Sequence, residues 1–251
     1  MNNLDGKIAL ITGTGGGLGR EAALRFAEQG ATIVGCDVNA DAQQQTRQLM
    51  QENGYTFIGH DQVDLGDPQQ AKAWIDSAAS RFGKIDILFN NASAARFAPI
   101  EELSVEDWYY TTRNELDLVF FASKFAWPYL KGHGVILNMG STAAWVGSTT
   151  AGKTAHSATK GGVVALTRQL AAEGAGVGIR AVSISPGFIK TPGTAAFVDN
   201  PAIRQKLLNG VLLNRPGEPQ DVIAMALFLA SDAASFITGA DFVIDGGMLA
   251  T

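Results

Sequence analysis

Between Lys7 and Gln29 the chain runs from a short apolar segment, KIALIT, through TGTGGGLG into a segment where Ala22, Ala23, Phe26 and Ala27 recur at helical spacing. Strand, glycine turn and helix follow one another with no spacer. Gly13, Gly15, Gly16, Gly17 and Gly19 allow positive φ in the turn and let a phosphate approach the backbone. The helix N-terminus beyond the turn offers unpaired N–H groups and the positive end of a dipole. Taken alone, a glycine-rich turn is weak grounds for a binding site. Here the next strand pattern, Ala31 to Val38, carries Asp37 at its end, 18 residues after Gly19. That carboxylate falls where the adenosine ribose of a dinucleotide would lie, accepting hydrogen bonds from its hydroxyls. The competing reading is a tight turn followed by a surface Asp. Asp37 also repels a 2′-phosphate, and Gly16 supplies no positive charge to offset it, so NAD(H) is expected over NADP(H). Arg20 and Arg47 both fit solvated helix positions.

The alternation continues without a linker. Asp41 to Asn53 reads as a polar helix, Tyr55 to Asp61 as a strand, Pro68 to Arg81 as a helix and Ile85 to Phe89 as an apolar strand. A long helical pattern then runs from Ser104 to Leu130, with Val105, Trp108, Leu116, Val119, Phe120, Ala122 and Ala126 as its apolar faces. Val135 to Met139 and Ile179 to Ser185 are further strands, Pro219 to Ala230 is a helix, and Ala240 to Ile244 is a last strand. Repeated strands and helices imply a parallel sheet covered on both faces. With 251 residues, 46% hydrophobic and 17% charged, one α/β domain spanning 1–251 is expected.

Such sheets bind ligands beyond the carboxyl ends of their strands. Asp64 and Leu65 follow the third strand, Asn91 and Ala92 the fourth, and Ser141 the fifth. After the sixth come Pro186 and Gly187, then Ile189 and Thr191, suited to present backbone and hydroxyl groups to an amide. Asn114 interrupts the long helix. Its apolar neighbours Tyr110 and Leu118 suggest burial, and a functional Asn and a solvent-facing one both stay open. His156 and Lys160 are four residues apart at the start of an apolar helix containing Ala158, Gly161, Gly162, Val163, Ala165 and Leu166, so they share one face. An isolated His/Lys pair is ordinarily surface chemistry; the ligand-edge residues around this one favour proton transfer to and from an alcohol. Segment 188–215, weakly helical, reads as a cover over the site or as a plain surface excursion.

The formal charge of −5 gives no global attraction for nucleic acid or anionic membrane, and neither partner is expected. The single cysteine, Cys36, lies in an apolar run and reads as a buried, inert thiol. No metal-ligand set is expected. No signal-peptide pattern precedes the first strand and no apolar run approaches ~20 residues, so the cytoplasm is the expected location.

Across nearly its whole length the chain resembles the single-domain short-chain dehydrogenase/reductases. Their TGxxxGxG motif is matched by Thr12, Gly13, Gly17 and Gly19, and their NNAG turn by Asn90, Asn91, Ala92 and Ser93, with Ser in place of Gly. Their helix Asn corresponds to Asn114, their active-site Ser to Ser141, their lysine to Lys160, and their PG motif and nicotinamide-amide Thr to Pro186, Gly187 and Thr191. The resemblance implies a Rossmann-type doubly wound sheet of about seven strands, a homotetramer, and hydride transfer between NAD and an alcohol or carbonyl of small-molecule size. Cofactor contacts are then expected from Gly13, Gly17, Leu18, Gly19, Asp37, Val38, Asp64, Leu65, Asn91, Ala92, Lys160, Pro186, Gly187, Ile189 and Thr191. Asn114, Ser141, His156 and Lys160 are the expected catalytic group.

The departure is at His156, where the family has tyrosine. No other Tyr lies near this helix, and the segment from Ser141 is about two residues longer than usual, the extra length falling in the Thr149 to Lys153 loop. Imidazole ordinarily titrates near ~6.5, and neighbouring positive charge favours its neutral form, a ready base for alcohol oxidation and a handicap for carbonyl reduction. Lys153 or bound water is an alternative proton donor, and a dinucleotide-binding regulator without catalysis is the rival function. Arg96 and Trp145 follow ligand-edge turns, where they are placed either to meet a polar, anionic substrate such as a sugar acid or simply to pack.

Overall fold

Each strand expected from the apolar runs forms in the computed structural model, which describes residues 3–149 and 151–250. The strands are β1 (Ile8–Thr12), β2 (Thr32–Asp37), β3 (Phe57–Asp61), β4 (Ile87–Asn90), β5 (Val135–Met139), β6 (Arg180–Pro186) and β7 (Asp241–Ile244). They build one parallel sheet in the order β3-β2-β1-β4-β5-β6-β7. Chain direction across the sheet reverses between β1 and β4, which opens a crevice beyond their carboxyl ends. The architecture is the expected single-domain Rossmann type.

Two apolar layers clamp the sheet. Alternate residues of β1 point to opposite faces, Ala9 and Ile11 to one and Ile8 and Leu10 to the other. The first layer is closed by α1 (Gly17–Glu28), through Ala22, Ala23 and Phe26, and by α9 (Pro219–Ala230), through Val222, Ile223 and Ala226. The second holds α3 (Pro68–Phe82), α5 (Leu118–Leu130) and α6 (Thr154–Ala175), with Trp74, Ile75, Val119, Ala122 and Val163 inward. Cys36 is buried in that layer, and burial pushes its thiol well above the ordinary range, as suits an inert role. Helix α2 (Ala40–Glu52) packs beside β2 and β3.

The long helix is continuous but not uniform. Ser104 caps α4 (Val105–Thr112) by accepting from the Asp107 N–H, and α5 follows after a π turn over Arg113–Asp117. The Asn114 carbonyl takes a hydrogen bond from Ala94 N at 3.2 Å, so a loop outside the helix holds part of its ladder at that turn. Asn114 therefore does not interrupt the helix. Val105, Trp108 and Phe120, expected inward, are solvent-exposed, and Ala158 and Ala165 leave one face of α6 exposed as well. Within 188–215 the chain forms two short helices, α7 (Ala195–Val198) and α8 (Pro201–Leu208). Thr150, in the loop assigned the extra length, lies outside the described residues.

Candidate active site

A cavity of about 660 Å³ opens at the crevice. Its floor is the glycine turn after β1, where Gly13 and Gly17 take positive φ of 73° and 52°, a conformation that suits glycine and strains other residues. Helices α2, α3 and α4 each begin on a side-chain cap; α1 begins at Gly16 with none. Gly16, Gly17 and Leu18 at its start line the cavity, and no acidic residue occupies its first turn. A phosphate group fits the N–H groups of such a helix start. Leu18 lines the cavity beside the turn. Gly19 does not line it: a Cβ there would meet the Gly13 carbonyl oxygen at 2.0 Å, so its smallness lets α1 close on the turn.

At one end Asp37 and Val38 line the wall. Asp37 is fixed by two backbone donors, Gly15 N to Oδ2 and Asn39 N to Oδ1, both at 2.8 Å. Arg20 and Arg47 are both committed to protein partners. Arg20 is bonded to the Gly15 and Ala42 carbonyls and to Thr46, and Arg47 to Gln44, the Gly59 carbonyl and Asp61. Asp64 accepts from Gly66 N at 3.0 Å and from Arg113 at 2.6 Å, with Leu65 beside it on the cavity wall. Asn91 and Ala92 are pinned across the switch point, their N–H groups donating to Thr12 Oγ1 at 2.9 and 2.8 Å.

At the other end stand Ser141, His156, Lys160 and Asn114. Ser141, just past β5, accepts from Ala143 N at 3.1 Å, which caps a 3₁₀ turn and leaves its hydroxyl hydrogen to donate. Lys160 does not reach the surface: it is 3% exposed and donates to the Met139 carbonyl at 3.0 Å. Burial pulls its ammonium below the ordinary value, and a neighbouring carboxylate opposes that pull. Asn114 is only half-buried, because its neighbour Tyr110 is exposed; its side-chain amide turns back to the Tyr110 carbonyl at 2.8 Å.

The neighbouring carboxylate is Glu115, the residue that sequence reasoning passed over. It is 1% exposed and receives His156 Nδ1 at 2.9 and 3.0 Å on its two oxygens, Ser93 Oγ at 2.6 Å and Thr159 Oγ1 at 2.5 Å, with Lys160 Nζ at 4.0 Å. Burial pushes the carboxyl up. The His156 hydrogen bond, the charges of Lys160 and His156 and the Ser93 hydroxyl overcome this and hold it at about 2. A signal existed in the sequence. Thr111, Glu115, Leu118, Val119 and Ala122 form the buried stripe of this helix at helical spacing, and an acid on such a stripe needs a partner.

Pro186, Gly187, Ile189 and Thr191 line the roof, with Phe188 and Phe97 as apolar walls. Of segment 188–215, the stretch 188–194 without Lys190 reaches this cavity, while α8 lines another. Arg96 and Trp145 do not line it. Arg96 lies 4.7 Å over the Tyr110 ring, and Trp145 donates to Asp241 at 2.8 Å beneath Arg168. Lys153 lines a separate cavity with Pro99 and Ser157.

Over residues 13–249 the chain matches the family model described as Enoyl-(Acyl carrier protein) reductase. It is 36% identical over 248 residues to meso-2,3-butanediol dehydrogenase of Serratia marcescens, covering 98% of this chain and 96% of that protein. It is 40% identical over 250 residues to D-threitol dehydrogenase of Mycolicibacterium smegmatis, covering 97% and 93%. A solved 7 alpha-hydroxysteroid dehydrogenase complexed with NADH and 7-oxo glycochenodeoxycholic acid superposes with a TM-score of 0.92 at 34% identity, covering 98% of this chain and 96% of that one.

Proposed function

Because the chain belongs to the short-chain dehydrogenase/reductase family, a family of oxidoreductases, we propose that it transfers hydride between a secondary alcohol and NAD, with His156 as acid/base. The observation that carries this reading is one cavity joining an uncapped glycine turn to Ser141, His156 and Lys160. A bound nicotinamide dinucleotide would supply the hydride acceptor. The turn at Gly13 and Gly17 and the N–H groups of α1 would hold its phosphates, and Asp37 and Val38 its adenosine end. Asp64, Leu65, Asn91 and Ala92 would flank it, and Pro186, Gly187, Ile189 and Thr191 would hold its amide end.

The chain's own groups then divide the proton work. Ser141 donates to the substrate oxygen and orients it toward His156, which accepts the hydroxyl proton. Lys160 would hold the nicotinamide ribose. With its Nδ2 bound to Tyr110, Asn114 offers Oδ1 to a proton-relay water. Commitment of Arg20 and Arg47 to other partners supports NAD over NADP. Arg96 and Trp145, the residues placed in sequence to meet an anionic substrate, are engaged elsewhere. The apolar walls and the relatives that carry the names of a threitol and a butanediol dehydrogenase favour a neutral secondary alcohol or diol instead. We take 188–194 as the part of the cover that meets substrate, the cytoplasm as the setting and a homotetramer as the working form.

The test is NAD reduction across secondary alcohols, diols, hydroxy acids and sugar acids, repeated with His156→Phe. Oxidation by the wild type and a loss of at least about 100-fold in kcat in the variant, with NADH still bound, is the expected result. A variant within a few-fold of wild type would remove His156 from the chemistry.

A further inference from the structure

The two places where the sequence departs from the family motifs, Ser93 and His156, both place their side chains on one carboxylate, Glu115. They come from different elements, the loop after β4 and helix α6, while Glu115 comes from the π turn between α4 and α5. Thr159 adds a third donor, so the carboxylate is held from both of those elements and leaves no oxygen unpaired. We propose that Glu115 is a positioning residue that forms a carboxylate–imidazole pair with His156, holding the proton on Nδ1, presenting Nε2 to the alcohol, and balancing the imidazolium that forms there. This rests on the reading of His156 as acid/base.

Geometry separates this arrangement from an ordinary buried ion pair with Lys160. Both carboxylate oxygens lie within hydrogen-bond reach of His156 Nδ1, whereas the Lys160 ammonium stands off at 4.0 Å and bonds the Met139 carbonyl instead. A carboxylate accepts only, so Nδ1 carries the hydrogen and Nε2 is left with its lone pair. The charged groups facing the imidazole are Glu115, from the π turn, and Lys160, one turn along α6; Ser93, Thr159 and Asn114 are neutral. In oxidation the alcohol O–H breaks and its proton goes to Nε2, while the C–H bond gives its electron pair and hydrogen to NAD as hydride, leaving a carbonyl. Without Glu115 the new imidazolium would face Lys160 alone in a buried site. With it, one carboxylate stands against the two cations, which lessens the handicap for carbonyl reduction expected from Lys160 alone.

The experiment combines kinetics with ¹⁵N NMR of the histidines, of which the chain has three, His60, His133 and His156, the last assigned by its loss in His156→Phe. In the wild type, without cofactor, neutral His156 is expected to carry its hydrogen on Nδ1. In Glu115→Gln, kcat for oxidation should fall at least about ten-fold with NADH binding unchanged, and the acid limb of the pH–rate profile should move to lower pH. Glu115→Asp should recover part of the loss. An Nε2–H tautomer, or a Gln variant with wild-type rate and an unmoved pH limb, overturns the pair. If the Gln variant does not fold, Glu115→Asp kinetics and the wild-type tautomer decide. An Nδ1–H tautomer in a protein whose His156→Phe variant stays active would sink the acid/base reading while supporting the pair. An enzyme that needs His156 but ignores Glu115 would do the reverse.

Discussion

A single carboxylate, Asp37, carries the proposed preference for NAD over NADP. Asp37 is held by the N–H groups of Gly15 and Asn39, so it cannot swing away from a 2′-phosphate, and Arg20 and Arg47 are not free to compensate. Replacing it, Asp37→Ser, is expected to lower kcat/KM for NAD at least about ten-fold and to narrow the preference over NADP, measured by steady-state kinetics with both cofactors. A wild type that prefers NADP would refute the premise. At this scale much was legible, because Asp37, Ser141, His156 and Lys160 each sit at a strand end or share a helix face that local pattern reveals. Glu115 is harder to read: it lies one residue past Asn114, the polar residue that stands out in the helical pattern, and only burial marks it. Arg96 and Trp145 stand near ligand-edge turns in sequence, but their ring and carboxylate partners draw them away from the cavity.

Between elements, Glu115 ties the π turn to helix α6 through His156 and Thr159. Its folded carboxyl, at about 2, lies below the ordinary 4.5, so the tie contributes stability that is complete above about 4.5 and is lost as pH falls toward 2. Glu115→Gln should therefore be less stable than wild type near neutrality, by on the order of 3 kcal/mol. The gap should shrink as the pH drops from about 5 to about 2, read from urea unfolding at each pH. A gap that does not change with pH would mean the carboxylate's charge is not what stabilises the contact. Helix periodicity located the 104–130 segment. It had no means of locating the π turn, since the Ala94 N–H that takes the Asn114 carbonyl comes from a loop outside the helix.

For the molecule as a whole, the large apolar residues found in solvent bear on assembly. Val105, Trp108, Tyr109 and Phe120 are exposed on α4 and α5, and Phe236, before β7, is fully so. In the proposed homotetramer, these apolar side chains are the surface a second copy of the chain would cover. Phe236→Asp and Trp108→Asp are each expected to reduce the oligomer to a smaller species in sedimentation or light scattering while leaving the fold intact by circular dichroism. A wild type that is monomeric at micromolar concentration would defeat that expectation.

The alternation of apolar runs with amphipathic segments was sufficient by itself to determine the parallel sheet, the glycine turn and the ends of strands where ligands gather. Each of those follows from backbone geometry and from periodicities of two and 3.6 residues, which are local properties. Only the tertiary structure decided what His156 has for a partner. The burial and mutual approach of Glu115, Ser93 and Thr159 arise from three segments folded onto one another, and electrostatic balance in a buried site depends on every charge within a few ångströms, whatever its distance along the chain.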